Sequence, residues 1–240
     1  MPKALHPVIN YLLEAQKRVD ENQNQFYVFD NTQVYIKDNI VSQNINKIDV
    51  QNVLAKIEKS IPFHLLENIE FIFIGWFDEF EERSINSFYK EGTLYISNIQ
   101  DDEEGMIESI VHEIAHSLET PYGMEIYGDG KIEKEFIGKR KRLFHLLQTA
   151  GYRVSLKTFI DTEYDEDFDN FLYKTVGYDK LSQYIAGLMI NAYSATSIRE
   201  YFANGLQEYY LSERPTYLQK ISPELYVKLN QLNVDQSLDI

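Results

Sequence analysis

Two histidines, His112 and His116, stand four residues apart, and Glu113 directly follows the first of them. Residues of these types at this spacing can bind a metal ion and transfer a proton. At about 100° per residue on a helix, His116 lies about 40° and Glu113 about 100° from His112, so the three share one side. The opposite side is apolar and consists of Ile107, Ile110, Val111, Ile114 and Leu118. Two imidazoles at this spacing suit a tetrahedral zinc ion, and the carboxylate suits a base that takes a proton from water. The pattern predicts a catalytic zinc helix, and the alternative is an amphipathic helix with two hydrogen-bonded histidines.

A catalytic zinc ion usually has three protein ligands, so the histidine pair needs a partner from elsewhere in the chain. The extended pattern H-E-x-x-H-x-x-G-x-x-H, which would supply a third histidine, is not present, because Glu119 and Tyr122 occupy its later positions. The chain has no cysteine, and its other histidines (His6, His64 and His145) lie in unpromising contexts. A carboxylate from a downstream helix is therefore the better candidate.

Glu200 is the strongest such carboxylate, and its position in the first turn of a predicted helix allows two roles. Ser197 and Glu200 match a capping box, in which Glu200 would hydrogen-bond the backbone at the helix N-terminus. Alternatively, Glu200 would be the third zinc ligand. Spacing alone does not choose between the two roles, and Glu208 is the fallback ligand.

The segments VHEIAHSLE and AYSATSIREYFANGL together resemble the gluzincin metallopeptidases of the anthrax lethal factor type, a group that includes the Pro-Pro endopeptidases. In that family a downstream helix carries a glutamate ligand followed by two aromatic residues and alanine, as in EYFA at 200–203. The resemblance implies one catalytic zinc ion held by His112, His116 and Glu200, with Glu113 as the general base. It also implies that Tyr193, seven residues before Glu200, stabilises the transition state, and that the chain is a zinc-dependent endopeptidase.

The resemblance covers the strand before the histidine helix, the helix itself and residues 190–210, and the chain departs from the family in two ways. Asn204 stands where the family often has a second acidic residue. Glu200 lies 84 positions after His116, which is longer than usual and predicts an inserted helical segment. Glu119, one turn after His116, is predicted either to support a ligand or to face solvent. Substrate preference does not carry over from the family.

The elements that must position these residues predict a sheet followed by helices. Strands are predicted on both sides of a turn at 30–32 and at 69–77, the latter as a central strand. A shorter strand is predicted at 92–98, either at an edge, where its free side would bind an extended peptide, or as a paired structural strand. Helices are predicted at 7–20, from 49 to 61, at 106–120 and at 131–149, with two or three more from 161 to 211. The fold class is α+β, a zincin-like domain with a small mixed sheet and a mostly helical C-terminal half. One domain is predicted for 1–240, divided into N-terminal elements (1–65), sheet and histidine helix (66–120), helical insertion (121–185), and third-ligand helix with a tail (186–240).

The formal net charge of the chain is −15, which limits the classes of partner that it is expected to bind. Phosphate contacts need clustered Lys and Arg, so neither nucleic acid nor an anionic membrane is expected as a partner. The single basic run, KRKR at 139–142, is predicted to be a solvated helix face.

No stretch approaches the roughly 18 apolar residues of a membrane span, and the N-terminus turns polar too soon for a signal peptide. We expect a soluble protein that is cytoplasmic unless another route exports it, and that acts on a peptide or protein substrate. The alternative is a non-catalytic module, zinc-stabilised or purely structural, that binds other proteins.

Overall fold

The computed structural model of the chain describes residues 25–38, 40–42, 48–83, 85–212 and 214–234. The helix predicted at 7–20 lies outside the described residues. The chain forms two compact units, one that ends at Ser117 and one that begins at Leu118. No helix within the described ranges is long and apolar enough to cross a membrane. The assignment of 1–240 to a single domain stays a prediction.

The first unit contains a five-stranded mixed sheet with the strand order β1-β2-β4-β6-β5. The strands of this unit are β1 (Gln25–Val28), β2 (Thr32–Ile36), β3 (Val41–Ser42), β4 (Phe71–Gly75), β5 (Ser87–Lys90), β6 (Thr93–Ser97) and β7 (Ile99–Gln100). Strands β2, β4 and β6 are parallel to one another, whereas β1 and β5 run antiparallel to their neighbours. Strands β3 and β7 form a separate parallel pair. The fold class is therefore α+β with a small mixed sheet, as predicted.

Strand β4 lies at the centre of the sheet, as the apolar run at 69–77 predicts. Side chains alternate between the two faces of a strand, and here both faces are buried. One face is aliphatic and has no solvent exposure at Val34, Ile72, Ile74, Leu94 and Ile96. The other face is aromatic, and the rings of Tyr35 and Phe73 stack with their centroids 4.8 Å apart. Burial on both sides explains why this run is almost entirely apolar.

Of the two placements predicted for the strand at 92–98, the edge position is wrong and the paired position is confirmed. Strand β6 pairs with β4 on one side and with β5 on the other, and all five of its residues are buried. A strand so placed has both rows of backbone groups engaged, so it offers no free side to a peptide. Strand β5 is the edge strand here, since no further strand among the described residues pairs with it.

The described residues of the first unit also form three α-helices: α1 (Val50–Ser60), α2 (Asp78–Arg83) and α3 (Glu103–Leu118). Helix α1 begins where predicted, because the Asp49 carboxylate accepts hydrogen bonds from the backbone N–H groups of the first turn. Helix α3 begins three residues before the predicted Met106 and ends two before Thr120. Its first turn is acidic, as expected from the helix dipole, and Glu103 forms a 2.8 Å ion pair with Lys56 of α1.

The second unit is helical. Its α-helices are α4 (Gly123–Tyr127), α5 (Lys131–Thr149), α6 (Leu156–Ile160), α7 (Glu166–Asn170), α8 (Tyr178–Ile185), α9 (Ile198–Leu211), α10 (Pro215–Ile221) and α11 (Pro223–Leu232). A π-helix at Phe171–Gly177 joins α7 to α8, and short 3₁₀ turns lie at Tyr193–Ala195 here and at Phe63–Leu65 in the first unit. Helix α5 has the predicted bounds, and its apolar stripe is fully buried at Ile132, Phe136, Leu143 and Leu147.

The prediction of a solvated basic face at 139–142 is wrong for half of that run. Lys141 and Arg142 are exposed, but Lys139 is 7% and Arg140 1% exposed. Both lie on the side of α5 that carries Phe136, where backbone carbonyls replace water. The Lys139 ammonium donates to the Leu188 carbonyl at 2.6 Å and to the Ile221 carbonyl. Burial lowers the pKa of Lys139 to about 8.

Candidate metal centre

The histidine pair lies on α3 with both rings half-buried. The Nε2 atoms of His112 and His116 lie 3.2 Å apart. Two nitrogens bound tetrahedrally to one zinc ion at about 2.0–2.1 Å would lie roughly 3.3 Å apart. On the opposite side of the helix, Ile110 and Ile114 are fully buried. One face of α3 is therefore anchored in the core, while the other holds two imidazole nitrogens at the separation that a shared metal ion requires.

Glu113 is held by a residue that the sequence analysis did not identify. Its side chain is 4% exposed, and its Oε1 atom accepts a 2.7 Å hydrogen bond from the hydroxyl of Ser87. Ser87 is the first residue of the edge strand β5. A charge-assisted bond of this length fixes one carboxylate oxygen, which leaves Oε2 as the oxygen that can take up a proton. The contact spans 26 residues, and no local motif marks this serine.

Glu200 lies in the first turn of α9, where the Ser197 half of the capping box is formed and a metal-binding role has support. The hydroxyl of Ser197 accepts a hydrogen bond from the Glu200 backbone N–H at 3.1 Å, so Ser197 caps the helix as predicted. The Glu200 side chain also belongs to a group that could hold a metal ion. His112, His116 and Glu200 each offer one ligand atom, and these atoms lie within 4.8 Å of one another. Two imidazole nitrogens and a carboxylate oxygen are a donor set that zinc accepts.

Glu208, the fallback ligand, does not belong to this group. Among the described residues, His112, His116 and Glu200 are the single group of three or more metal-binding side chains whose ligand atoms all lie within 4.8 Å of one another. The Glu208 Oε1 atom is buried, and no hydrogen bond to it is present among the described residues. The metal-binding potential thus lies with Glu200.

Tyr193 lies on the short 3₁₀ turn that precedes α9, and it is half-buried. Burial, and next the negative charge of Glu200, raise the pKa of Tyr193 well above its usual value. The phenol therefore stays protonated and can donate a hydrogen bond. The Tyr193 carbonyl accepts from the Thr196 hydroxyl at 2.8 Å, which tightens the turn between Tyr193 and α9.

Asn204, where the resemblance predicts an acid, joins the Glu200 turn to the segment before Tyr193. Its amide nitrogen donates to the Glu200 carbonyl at 2.7 Å, and its amide oxygen accepts from Asn191. Asn191 in turn accepts from the backbone N–H of Ser194 at 2.8 Å. An amide can donate to one neighbour and accept from another, which a carboxylate cannot do. The departure from the family pattern thus has a structural reason.

Arg140 supports the same segment from α5. Its guanidinium donates to the Thr196 carbonyl at 3.2 Å and to the Thr158 carbonyl at 2.6 Å. It also lies 4.3 Å from the centroid of the Phe168 ring. A signal for this buried arginine was present, since Arg140 falls four residues after Phe136 on the apolar stripe of α5.

Glu119 lies in the turn after α3, and the prediction that it faces solvent is wrong. Its side chain is 10% exposed, accepts from the Tyr127 hydroxyl at 3.0 Å and pairs with Arg199 at 2.5 Å. Since Arg199 precedes Glu200, Glu119 restrains the first turn of α9 through this ion pair. A supporting role, the other expectation for Glu119, is consistent with these contacts.

The described site thus combines a potential metal-binding group, a buried carboxylate on the same helix as its histidines, and a protonated tyrosine near Glu200. No protein-family model, curated protein or solved structure matches the chain, so the family resemblance stays a prediction from the motifs.

Proposed function

We propose that this chain is a zinc-dependent endopeptidase with a zincin-like fold, in which His112, His116 and Glu200 hold one catalytic zinc ion. The proposal is carried by the approach of three ligand atoms to within 4.8 Å of one another, with the buried carboxylate of Glu113 next to His112. The mixed sheet followed by helix α3 also supports it, because this is the arrangement that the motifs predict. A peptide or protein is the proposed substrate.

Each residue then has a defined part in peptide hydrolysis. Zinc, when bound, supplies a Lewis acid that lowers the pKa of water and polarises a carbonyl oxygen. The Glu113 carboxylate accepts the proton of the attacking water and later delivers it to the leaving amine. Ser87 keeps one Glu113 oxygen occupied, so that the other faces the water. The Tyr193 phenol donates a hydrogen bond to the oxyanion that develops in the transition state.

Strand β5 is the proposed guide for the substrate backbone. It is an edge strand, so its outer row of N–H and C=O groups can pair with an extended peptide. It also begins at Ser87, whose hydroxyl contacts the proposed base. A peptide paired with β5 would therefore run past Glu113.

The central test combines zinc quantification with cleavage of a peptide library by the wild type and by Glu113→Gln. We expect one zinc per chain in both proteins and a loss of about 10²- to 10⁴-fold in kcat for the variant, because a general base is removed. Glu104→Gln, an exposed carboxylate of the same helix, is the matched control and should cleave like the wild type. A wild type that holds zinc but cleaves no library peptide would favour the non-catalytic zinc module.

The third ligand is tested separately with Glu200→Gln and Glu208→Gln. Glu200→Gln should lower the zinc content sharply, because an amide oxygen is a weaker ligand than a carboxylate, and Glu208→Gln should leave it unchanged. The opposite result would move the ligand assignment to Glu208.

A further inference from the structure

Two tyrosines of the inserted helical segment converge on one carboxylate. The hydroxyls of Tyr164 and Tyr178 donate to the two oxygens of Asp169 at 3.1 and 3.2 Å. With each hydroxyl directed at Asp169, the positions of both rings are fixed, and the Tyr178 ring also packs against Tyr173 with the ring centroids 5.2 Å apart. Tyr164 is 51% exposed, which is a large aromatic surface to leave in water.

This tyrosine pair is joined to the Glu200 helix by direct bonds. The backbone N–H of Ile198, in the first turn of α9, donates to the Thr162 carbonyl at 2.9 Å. Arg140 contacts both segments, because it donates to the Thr196 carbonyl and lies against Phe168, the neighbour of Asp169. The segment that carries Tyr164 and Asp169 is thus held beside the first turn of α9, which carries Glu200.

The electrostatic environment of these tyrosines is negative. Residues 161–169 contain six carboxylates and neither Lys nor Arg. Burial, followed by the charge of Asp169, raises the pKa of Tyr164 to about 12, and Glu200 adds to the effect. The same two causes raise the pKa of Tyr178.

We propose that Tyr164 and Tyr178, held by Asp169, form a substrate-binding subsite that takes the basic side chain of a lysine or arginine. This inference rests on the proposed endopeptidase function and adds a substrate class to it. An ammonium or guanidinium group is attracted to the face of a tyrosine ring, and the attraction grows when the surroundings are negative. A neutral side chain of equal length would gain the apolar contact but not the charge.

The first test measures specificity. A peptide library is scanned at each position around the cleaved bond with lysine, arginine and norleucine, a neutral residue of lysine's length. We expect kcat/KM to be about 5- to 30-fold higher for a basic residue than for norleucine at one position. Tyr164→Leu should abolish this preference, whereas Tyr164→Phe keeps the ring face and should retain most of it. Tyr27→Leu, another exposed tyrosine, is the matched control and should retain all of it.

A second test does not depend on turnover. Binding of matched lysine and norleucine peptides to the zinc-loaded Glu113→Gln variant is titrated at low and high salt. The lysine peptide should bind more tightly, with the advantage reduced by salt and by Asp169→Asn. Because Tyr164 is half-exposed, Tyr164→Leu should fold, and its thermal unfolding midpoint checks this.

The results separate the two proposals. Cleavage without a basic preference at any position, or a preference that survives Tyr164→Leu, would overturn the subsite and leave the endopeptidase intact. If the wild type cleaves no peptide, the endopeptidase proposal fails, and equal binding of the lysine and norleucine peptides would then overturn the subsite as well.

Discussion

The hydrogen bond from Ser87 to Glu113 allows a direct test of how the proposed base is positioned, using Ser87→Ala. The 2.7 Å bond joins an edge strand to helix α3, and it fixes one oxygen of a carboxylate that is 4% exposed. Alanine removes the hydroxyl and leaves the backbone of β5 unchanged. The variant therefore perturbs the orientation of Glu113 without touching a proposed zinc ligand.

The size of the effect follows from what the bond holds in place. A hydrogen bond to a charged group contributes about 1.5–3 kcal/mol, and an unrestrained Glu side chain regains up to about 2 kcal/mol of rotamer entropy. If the variant loses about 1.4–2 kcal/mol of transition-state stabilisation, kcat falls roughly 10- to 30-fold. The zinc content and KM should not change, because the hydroxyl that is removed donates to the proposed base and the backbone of β5 stays unchanged.

The assay is steady-state cleavage of the best library peptide by the wild type, Ser87→Ala and Ser87→Thr, with zinc measured on the same samples. Threonine keeps the hydroxyl on a strand and should restore most of kcat. Ser109→Ala is the matched control, since it removes an α3 hydroxyl that donates to the Gly105 carbonyl. In a Glu113→Gln background, Ser87→Ala should have little further effect. A Ser87→Ala enzyme with kcat within twofold of the wild type would refute the positioning role.

Three further predictions address other residues. Tyr193→Phe should lower kcat about 10²-fold with zinc content unchanged, because one oxyanion donor is lost; an unaltered kcat in a peptide assay would argue against that role. Asn204→Asp should lower the free energy of unfolding by about 1–3 kcal/mol, because a carboxylate replaces the donor to the Glu200 carbonyl. Equal chemical denaturation midpoints for the wild type and the variant would contradict this. The pKa of Lys139 is about 8 in the folded chain, and its ordinary value is 10.5. Between these two pH values Lys139 is protonated in the unfolded chain and largely neutral in the folded one. The free energy of unfolding should therefore rise with pH in this range. Lys139→Met should lack that rise, and parallel stability curves for the two proteins would show the prediction to be wrong.

The features that could be predicted from the sequence are those with local causes. Asp49 marks the start of α1 because a capping carboxylate bonds to the next few backbone N–H groups. The apolar stripe of α5 fixes its extent and its buried face. The spacing of His112 and His116 is also local, since one helical turn brings the two rings together.

The features that could not be predicted depend on contacts between distant residues. The place of β6 in the strand order depends on which strands flank it, and the alternating pattern of 92–98 carries no such information. The Ser87–Glu113 bond joins two elements that are 26 residues apart. The prediction for Lys139 and Arg140 is wrong for another reason, because their charge predicts exposure to solvent whereas their positions on the helix place them on its buried side. Helical phase was the better guide there, because carbonyl oxygens can replace water around a buried cation.

The outer edge of β5, with which no other described strand pairs, has a consequence for how copies of this chain behave at high concentration. A row of unpaired backbone groups that can pair with a peptide can also pair with the same strand of another molecule. Three features oppose such self-association. The strand is only four residues long, it ends at the positively charged Lys90, and the chain then reverses through Glu91 and Gly92, both with positive φ. The net charge of −15 adds a general repulsion between copies. An edge this short can pair with a single extended segment but gives little stability to the stacking of strands from many copies of the chain.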